Sequence, residues 1–171
     1  IDAFAYMPVQ DFGNAFSTFI AQNNGAKESV RIRAGLKSAV CISMAFCVVI
    51  SLLVCVFAKP LMAIFVDAGE TAVIQEGVHY LRIEGAFYCG IGCLFLLYGL
   101  YRALGKPGMS VVLTVISLGT RVALAYLLSA VPAIGVTGIW CSVPIGWALA
   151  DFVGLLCYRA RKKELLSCTM V

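Results

Sequence analysis

From Ser38 to Ala58 the chain carries no charged residue, and its polar atoms are confined to serines and cysteines. That length matches the ~20 residues a helix needs to cross the hydrocarbon core of a bilayer. The whole composition agrees: 61% of residues are hydrophobic, 13% are charged and mean hydropathy is +0.94, whereas a soluble domain carries about 25% charge. The expected fold is all-α, a polytopic membrane helix bundle, and the lipid bilayer is the first partner it implies.

Five transmembrane spans are expected, at residues 4–22, 38–58, 72–104, 108–129 and 136–158. Asn24-Gly25 ends the first, and a basic linker with Lys27, Arg31, Arg33 and Lys37 follows. Lys59-Pro60 ends the second. Leu61, Met62, Ile64, Phe65 and Val66 are then expected in the interface, before Asp67-x-x-Glu70, close to a capping box, starts the next helix. The third span is longer than a crossing needs, so Glu76, His79, Arg82 and Glu84 are placed near the headgroups or in a cleft, with solvation accounting for Glu84. Gly105-Lys106-Pro107 stops it.

Of the eight cysteines, those at 41, 47, 55, 89, 93, 141 and 157 sit in apolar runs, no spacing gives a CxxC pair, and His79 is the one histidine. That pattern argues for packing and against a metal site. The net charge of +4 does not come with an aromatic-interleaved basic face, so nucleic acid is not an expected partner. Of thirteen Lys and Arg, ten fall in the linkers after spans one and three and in the tail with Arg159, Arg161, Lys162 and Lys163. Lys59 stands at the other end, and Arg82 and Arg121 belong to spans. The positive end faces the cytoplasm, which puts the N-terminus outside and the C-terminus inside. With Ile1 first and no signal-peptide pattern, the chain reads as an internal or C-terminal piece of a longer protein.

Pro8 to Ala26 is an apolar helical run with an unusual polar load. Gln10, Asn14 and Ser17 recur at helical spacing, as do Asp11, Asn14 and Thr18. Pro8 cannot donate to the Phe4 carbonyl, so a bend and a free acceptor are expected there. A carboxylate beside such a bend suits a ligand or cation path lining the bundle's interior; polar packing between helices is the alternative. Asp11, Gln10, Asn14 and Thr18 are the candidate binding residues. Pro8, Arg121, Pro144 and Asp151 are candidates for structural or gating roles. Arg121 and Asp151 lie on consecutive antiparallel helices, roughly 10 Å apart in depth, within each other's range only through side-chain reach. Gly90, Gly92, Gly99, Gly146 and Gly154 are expected at kinks and close helix contacts.

Several blocks together carry a resemblance. YMPVQDFGNAFSTFIAQNNGA, then R-x-R-x-G-L-K, YLRI at Tyr80 to Ile83, YRALGKP at Tyr101 to Pro107, RVALAYLLS at Arg121 to Ser129 and GIWCSVPIGWALAD at Gly138 to Asp151 resemble the C-terminal lobe of a MATE (multidrug and toxic compound extrusion) exporter. That family has twelve helices in two lobes of six. The resemblance therefore implies helices eight to twelve, five of the six in a transporter lobe, whose partners are a seventh helix, an N-terminal lobe and small cationic or amphipathic substrates. It implies a transporter rather than an enzyme, coupled to H⁺ or Na⁺ and needing no cofactor. Two departures stand out: Lys27 sits where the family often has a second glycine, and Gly90 to Phe95 lacks the carboxylate some members carry there. A lipid-linked precursor flippase of the same superfamily is the alternative. An intramembrane aspartyl protease using Asp11 and Asp151 is a remote one, because the Gly-x-Gly-Asp signature is absent.

The charge asymmetry predicts that, in intact cells and on a cysteine-free background, an impermeant thiol reagent labels a single cysteine at Ala68 and not one at Ser29. The reverse pattern overturns the orientation.

Overall fold

The computed structural model describes residues 1–67 and 69–167, with side chains as far as residue 160. Arg161, Lys162 and Lys163 of the basic tail, and Ala68, lie outside the described side chains. Six helices make up the chain: α1 (Asp2–Gly25), α2 (Ser29–Ala63), α3 (Thr71–Gly85), α4 (Tyr88–Ala103), α5 (Pro107–Ser129) and α6 (Val136–Ser167).

α2, α5 and the Val136–Ala160 part of α6 are long and apolar enough to cross a bilayer, and α3 with α4 passes the same test as one span broken by a 49° bend. α1 occupies the place of the first expected span. Its 24 residues extend about 36 Å at 1.5 Å per residue, yet its polar load keeps it out of the set that qualifies on apolarity.

The expected boundaries shift in four places, each for a local reason. α2 begins at Ser29, so Arg31, Arg33 and Lys37 ride its first turns instead of forming a linker. It also passes through Pro60 to Ala63. The proline ring crowds the Val56 carbonyl, and the helix absorbs this by leaving helical geometry at Phe57 (φ −94°, ψ 15°) rather than by ending. Leu61 and Met62 are thereby helical and packed on the core, while Ile64 and Phe65 remain exposed as expected. The capping box does not form. Glu70 is the N-cap of α3 without a side-chain cap bond, and Asp67 supplies only its carbonyl, to the Glu70 N–H at 3.0 Å. The third span breaks at Ala86-Phe87, where Phe87 N–H donates to Glu84 O (3.0 Å) and Gly90 N–H to Phe87 O (2.8 Å), the tightened i to i−3 pattern.

The first helix stop lies beyond Asn24-Gly25. Lys27 N–H donates to Asn24 O (3.1 Å) and Glu28 N–H to Asn23 O (2.9 Å), which is a Schellman motif with Lys27 in the left-handed position at φ 58°. At the matching stop of α4 the residue is Gly105, at φ 71°. Lysine at the first stop is a strained choice of about 1 kcal/mol, which explains why glycine suits that place.

α4 is the hub, packing against α1, α2, α5 and α6. Its stripe Tyr88, Ile91, Leu94, Leu97 and Tyr101 meets Leu81, Leu113, Trp147 and Ala150 in the larger core. Phe16, Ile20, Ile32 and Ala39 close on Leu96 and Leu100 in the second. The outer faces are apolar as well: Val111, Val115, Leu118 and Val122 form an exposed ridge on α5 at helical spacing, as a lipid-facing surface does.

Lipid tails are as apolar as leucine, so helix association here depends on close packing rather than on exclusion of water. Two backbone contacts provide it. A Cβ on Gly99 would stand 2.6 Å from Gly13 O, and one on Gly146 would stand 2.6 Å from Ser117 O. Gly99→Ala and Gly146→Ala are each expected to destabilise by about 1–3 kcal/mol through overpacking. Gly119→Ala, with nothing within 4 Å, should leave the thermal midpoint in detergent unchanged or slightly raised.

Candidate functional site

Four polar residues of α1, Gln10, Asp11, Asn14 and Thr18, share one face. Val9, Gly13, Phe16, Ile20 and Asn23 form the buried stripe, because the apolar side chains and Gly13 take the contact with α4. Gln10, Asp11, Asn14 and Thr18 are consequently all exposed on the opposite side. The expectation that Asp11 lines the interior of this bundle is therefore corrected: it faces outward, and the four candidates stay together on the outward face. Thr18 Oγ1 donates back to Asn14 O at 3.3 Å, and the Arg102 guanidinium reaches over from α4 to donate to Asn14 Oδ1 at 2.8 Å. This surface thus presents a carboxylate, two amide side chains, a hydroxyl and one guanidinium in an otherwise apolar setting.

α1 runs unbroken through Pro8. Pro8 lines an apolar cavity of about 140 Å³ between α1 and α2 with Val9, Phe12, Ile42, Ser43 and Phe46. α6 likewise continues through Pro144, which is buried.

A second polar group lies inside, at the break between α3 and α4. The Tyr88 hydroxyl donates to Asp2 Oδ1, and the Tyr80 hydroxyl hydrogen-bonds with both Asp2 and Glu84. A single O–H can donate to only one of these carboxylates at a time. Glu84 is 6% exposed, so its assignment to the solvated edge is corrected: it lies on the buried face of α3, where Tyr80 and the charge of Arg121 act on it. The spacing Tyr80, Glu84, Tyr88 placed these three on one helical face and was the signal available in the sequence. Asp2, 86 positions away from Tyr88, left none. His79 and Tyr80 pack edge-on against Trp140 at 5.3 and 5.9 Å, which seats α3 on α6.

Asp151 is the third polar position. It is 9% exposed, the Cys93 thiol hydrogen-bonds to its carboxylate, and its Oδ1 has no partner. Gly90 lies next to it, where a Cβ would stand in ordinary contact with Oδ2 at 3.9 Å. Among the described residues Arg121 and Asp151 do not pair. Arg121 lies level with Gly146, about 7.5 Å along α6 from Asp151 by helical rise, and its Nε is also without a partner.

A family model described as MatE matches residues 1–127. The chain belongs to the MATE family, a family of transporters. The backbone agrees over nearly its whole length. An outward-facing multidrug resistance MATE family transporter of the MOP superfamily superposes with a TM-score of 0.88 at 18% identity, covering 99% of this chain and 37% of that one. The inward-facing conformation of a multidrug resistance MATE family transporter gives 0.86 at 19% identity, with 95% and 37% covered. The Vibrio cholerae MATE transporter VcmN in its bent form gives 0.83 at 24% identity, with 98% and 36% covered. No curated protein matches the chain. The chain thus spans little more than a third of the length of the solved MATE structures it matches, with the fold of one transporter lobe.

Tyr88→Phe in this MATE lobe removes the hydroxyl that serves a partly buried carboxylate and is expected to lower stability by about 1–3 kcal/mol. Tyr126→Phe, at a ring 77% exposed, is the control that should leave the unfolding midpoint unchanged.

Proposed function

We propose that this chain is one lobe of a secondary antiporter that exports cationic or amphipathic compounds in exchange for H⁺ or Na⁺, working from the cell membrane together with a seventh helix and an N-terminal lobe. The observation that carries this reading is the exposed polar face of α1. A face bearing Asp11, Gln10, Asn14 and Thr18 does not suit hydrocarbon, so it fits the wall of a shared, water-accessible cavity between two lobes. There Asp11 supplies the negative charge that attracts a cation, and the amides and hydroxyl supply donors and acceptors for a varied cargo. Alternating access then rocks one bundle against the other around that wall. The likeness of this lobe to MATE structures in both inward- and outward-facing conformations supports its moving as a unit.

Coupling needs a group whose charge state can change inside the lobe. Asp151 fits this role: it is buried, one of its oxygens lacks a donor, and it sits beside the broken span, where discontinuous helices commonly build ion sites. Two substitutions in the intact transporter separate the roles at matched expression. Asp11→Asn is expected to weaken efflux of a cationic dye such as ethidium about tenfold or more, equivalent to ~1.4 kcal/mol, with less effect on a neutral amphiphile. Asp151→Asn is expected to abolish uphill efflux driven by an ion gradient while leaving dye binding intact. Wild-type efflux in Asp11→Asn assigns the α1 face to packing.

A further inference from the structure

Where α2 gives way to α3, a cavity of about 600 Å³ opens between the two helices, and Lys59 of α2 and Arg82 of α3 both line it. Of the thirteen Lys and Arg, these are two of the three outside the basic set at the opposite end of the bundle. Cys55 Sγ donates to Arg82 O, which sets residue 55 level with residue 82. Lys59 therefore sits about one helical turn, roughly 6 Å, from Arg82 along the groove.

The lining is sorted by charge. Thr71, Ile74, Gln75, Val78 and Arg82 share one face of α3 at helical spacing and turn toward Lys59 and Ala63. Glu76 faces a neighbouring depression with Tyr80 and Trp140, and Glu84 is buried inside the lobe. Among the described residues no carboxylate lines the cavity, although Asp67, Glu70, Glu76 and Glu84 all belong to the same stretch. Among the described residues neither cation forms an ion pair. The opening thus combines two uncompensated cations, a hydroxyl and an amide with an apolar wall of Ala63, Ile74 and Val78, at the membrane-end level of α2 and α3.

We propose that this cavity is a binding site for the headgroup of an anionic phospholipid. The Arg82 guanidinium offers a planar, two-pronged donor to the phosphate, Lys59 adds a second charge one turn away, and the apolar wall takes the first carbons of the acyl chains. The positive lining repels a cationic cargo, so the site is separate from the α1 face and independent of the antiport reading.

The test uses the protein in nanodiscs of phosphatidylcholine, with phosphatidylglycerol added in steps and inorganic phosphate in a parallel series, reading the thermal midpoint and lipid retention by native mass spectrometry. Phosphatidylglycerol is expected to raise the midpoint and to be retained preferentially, while phosphate alone does neither. Lys59→Gln with Arg82→Gln is expected to lose the preference by about tenfold or more while keeping the wild-type midpoint in phosphatidylcholine. Lys59→Arg, which keeps the charge, retains the preference even if the double variant folds poorly. The proposal is overturned if wild-type protein shows no preference for phosphatidylglycerol, as it would if another part of the transporter fills the cavity. It is equally overturned if inorganic phosphate alone reproduces the shift, or if a folded double variant keeps the preference.

Discussion

A bilayer interior offers no water, so each polar group that enters it must be met by protein or by a wet cavity. That constraint organises this lobe. The apolar side chains do not discriminate between a neighbouring helix and lipid, and accordingly they appear both in the cores around α4 and along the exposed ridge of α5. The polar side chains do discriminate. Carboxylates of the bundle occupy three such settings: the outward face of α1, the Asp2–Tyr80–Glu84–Tyr88 group at the break in the third span, and Asp151 beside Cys93. Each has a different relation to water, and a transporter needs such differences.

The broken span connects these places. Had α3 and α4 been one straight helix, Glu84 and Tyr88 would have followed a single stripe and Gly90 would have pointed elsewhere. Tyr80 and Glu84, one turn apart on α3, meet without the bend; the 49° break falls after them, and beyond it Tyr88 takes Asp2 while Gly90 lies next to the Asp151 carboxylate. Trp140 steadies the arrangement by packing against both His79 and Tyr80.

What could be read from the sequence divides along the same physical line. Hydrophobic runs and the Gly105-Lys106-Pro107 stop are local signals that located the helices, while the family was legible only through the resemblance of several sequence blocks taken together. Gly99 and Gly146 were expected at close contacts, and they occur there. The end of the second span was set too early, at Lys59-Pro60, because Pro60 reads as a terminator, whereas α2 leaves helical geometry at Phe57 and continues to Ala63. The break at Ala86-Phe87 had no proline to announce it. The Asp2–Tyr88 hydrogen bond joins residues 86 apart, and the outward turn of Asp11 depended on which side of α1 would meet α4. Periodicity finds a polar face but does not say what it looks toward.

The meeting of Gly13 with Gly99 places two backbones against each other without a side chain between them. Side chains are the compliant layer in most helix contacts, since they can change rotamer while the backbone stays still. At that one point backbone atoms set the spacing of α1 and α4, while Phe16 and Ile20 still pack through side chains on Leu96 and Leu100. The glycine contact is thus a pivot: side chains around it can readjust, but the two axes cannot come closer there.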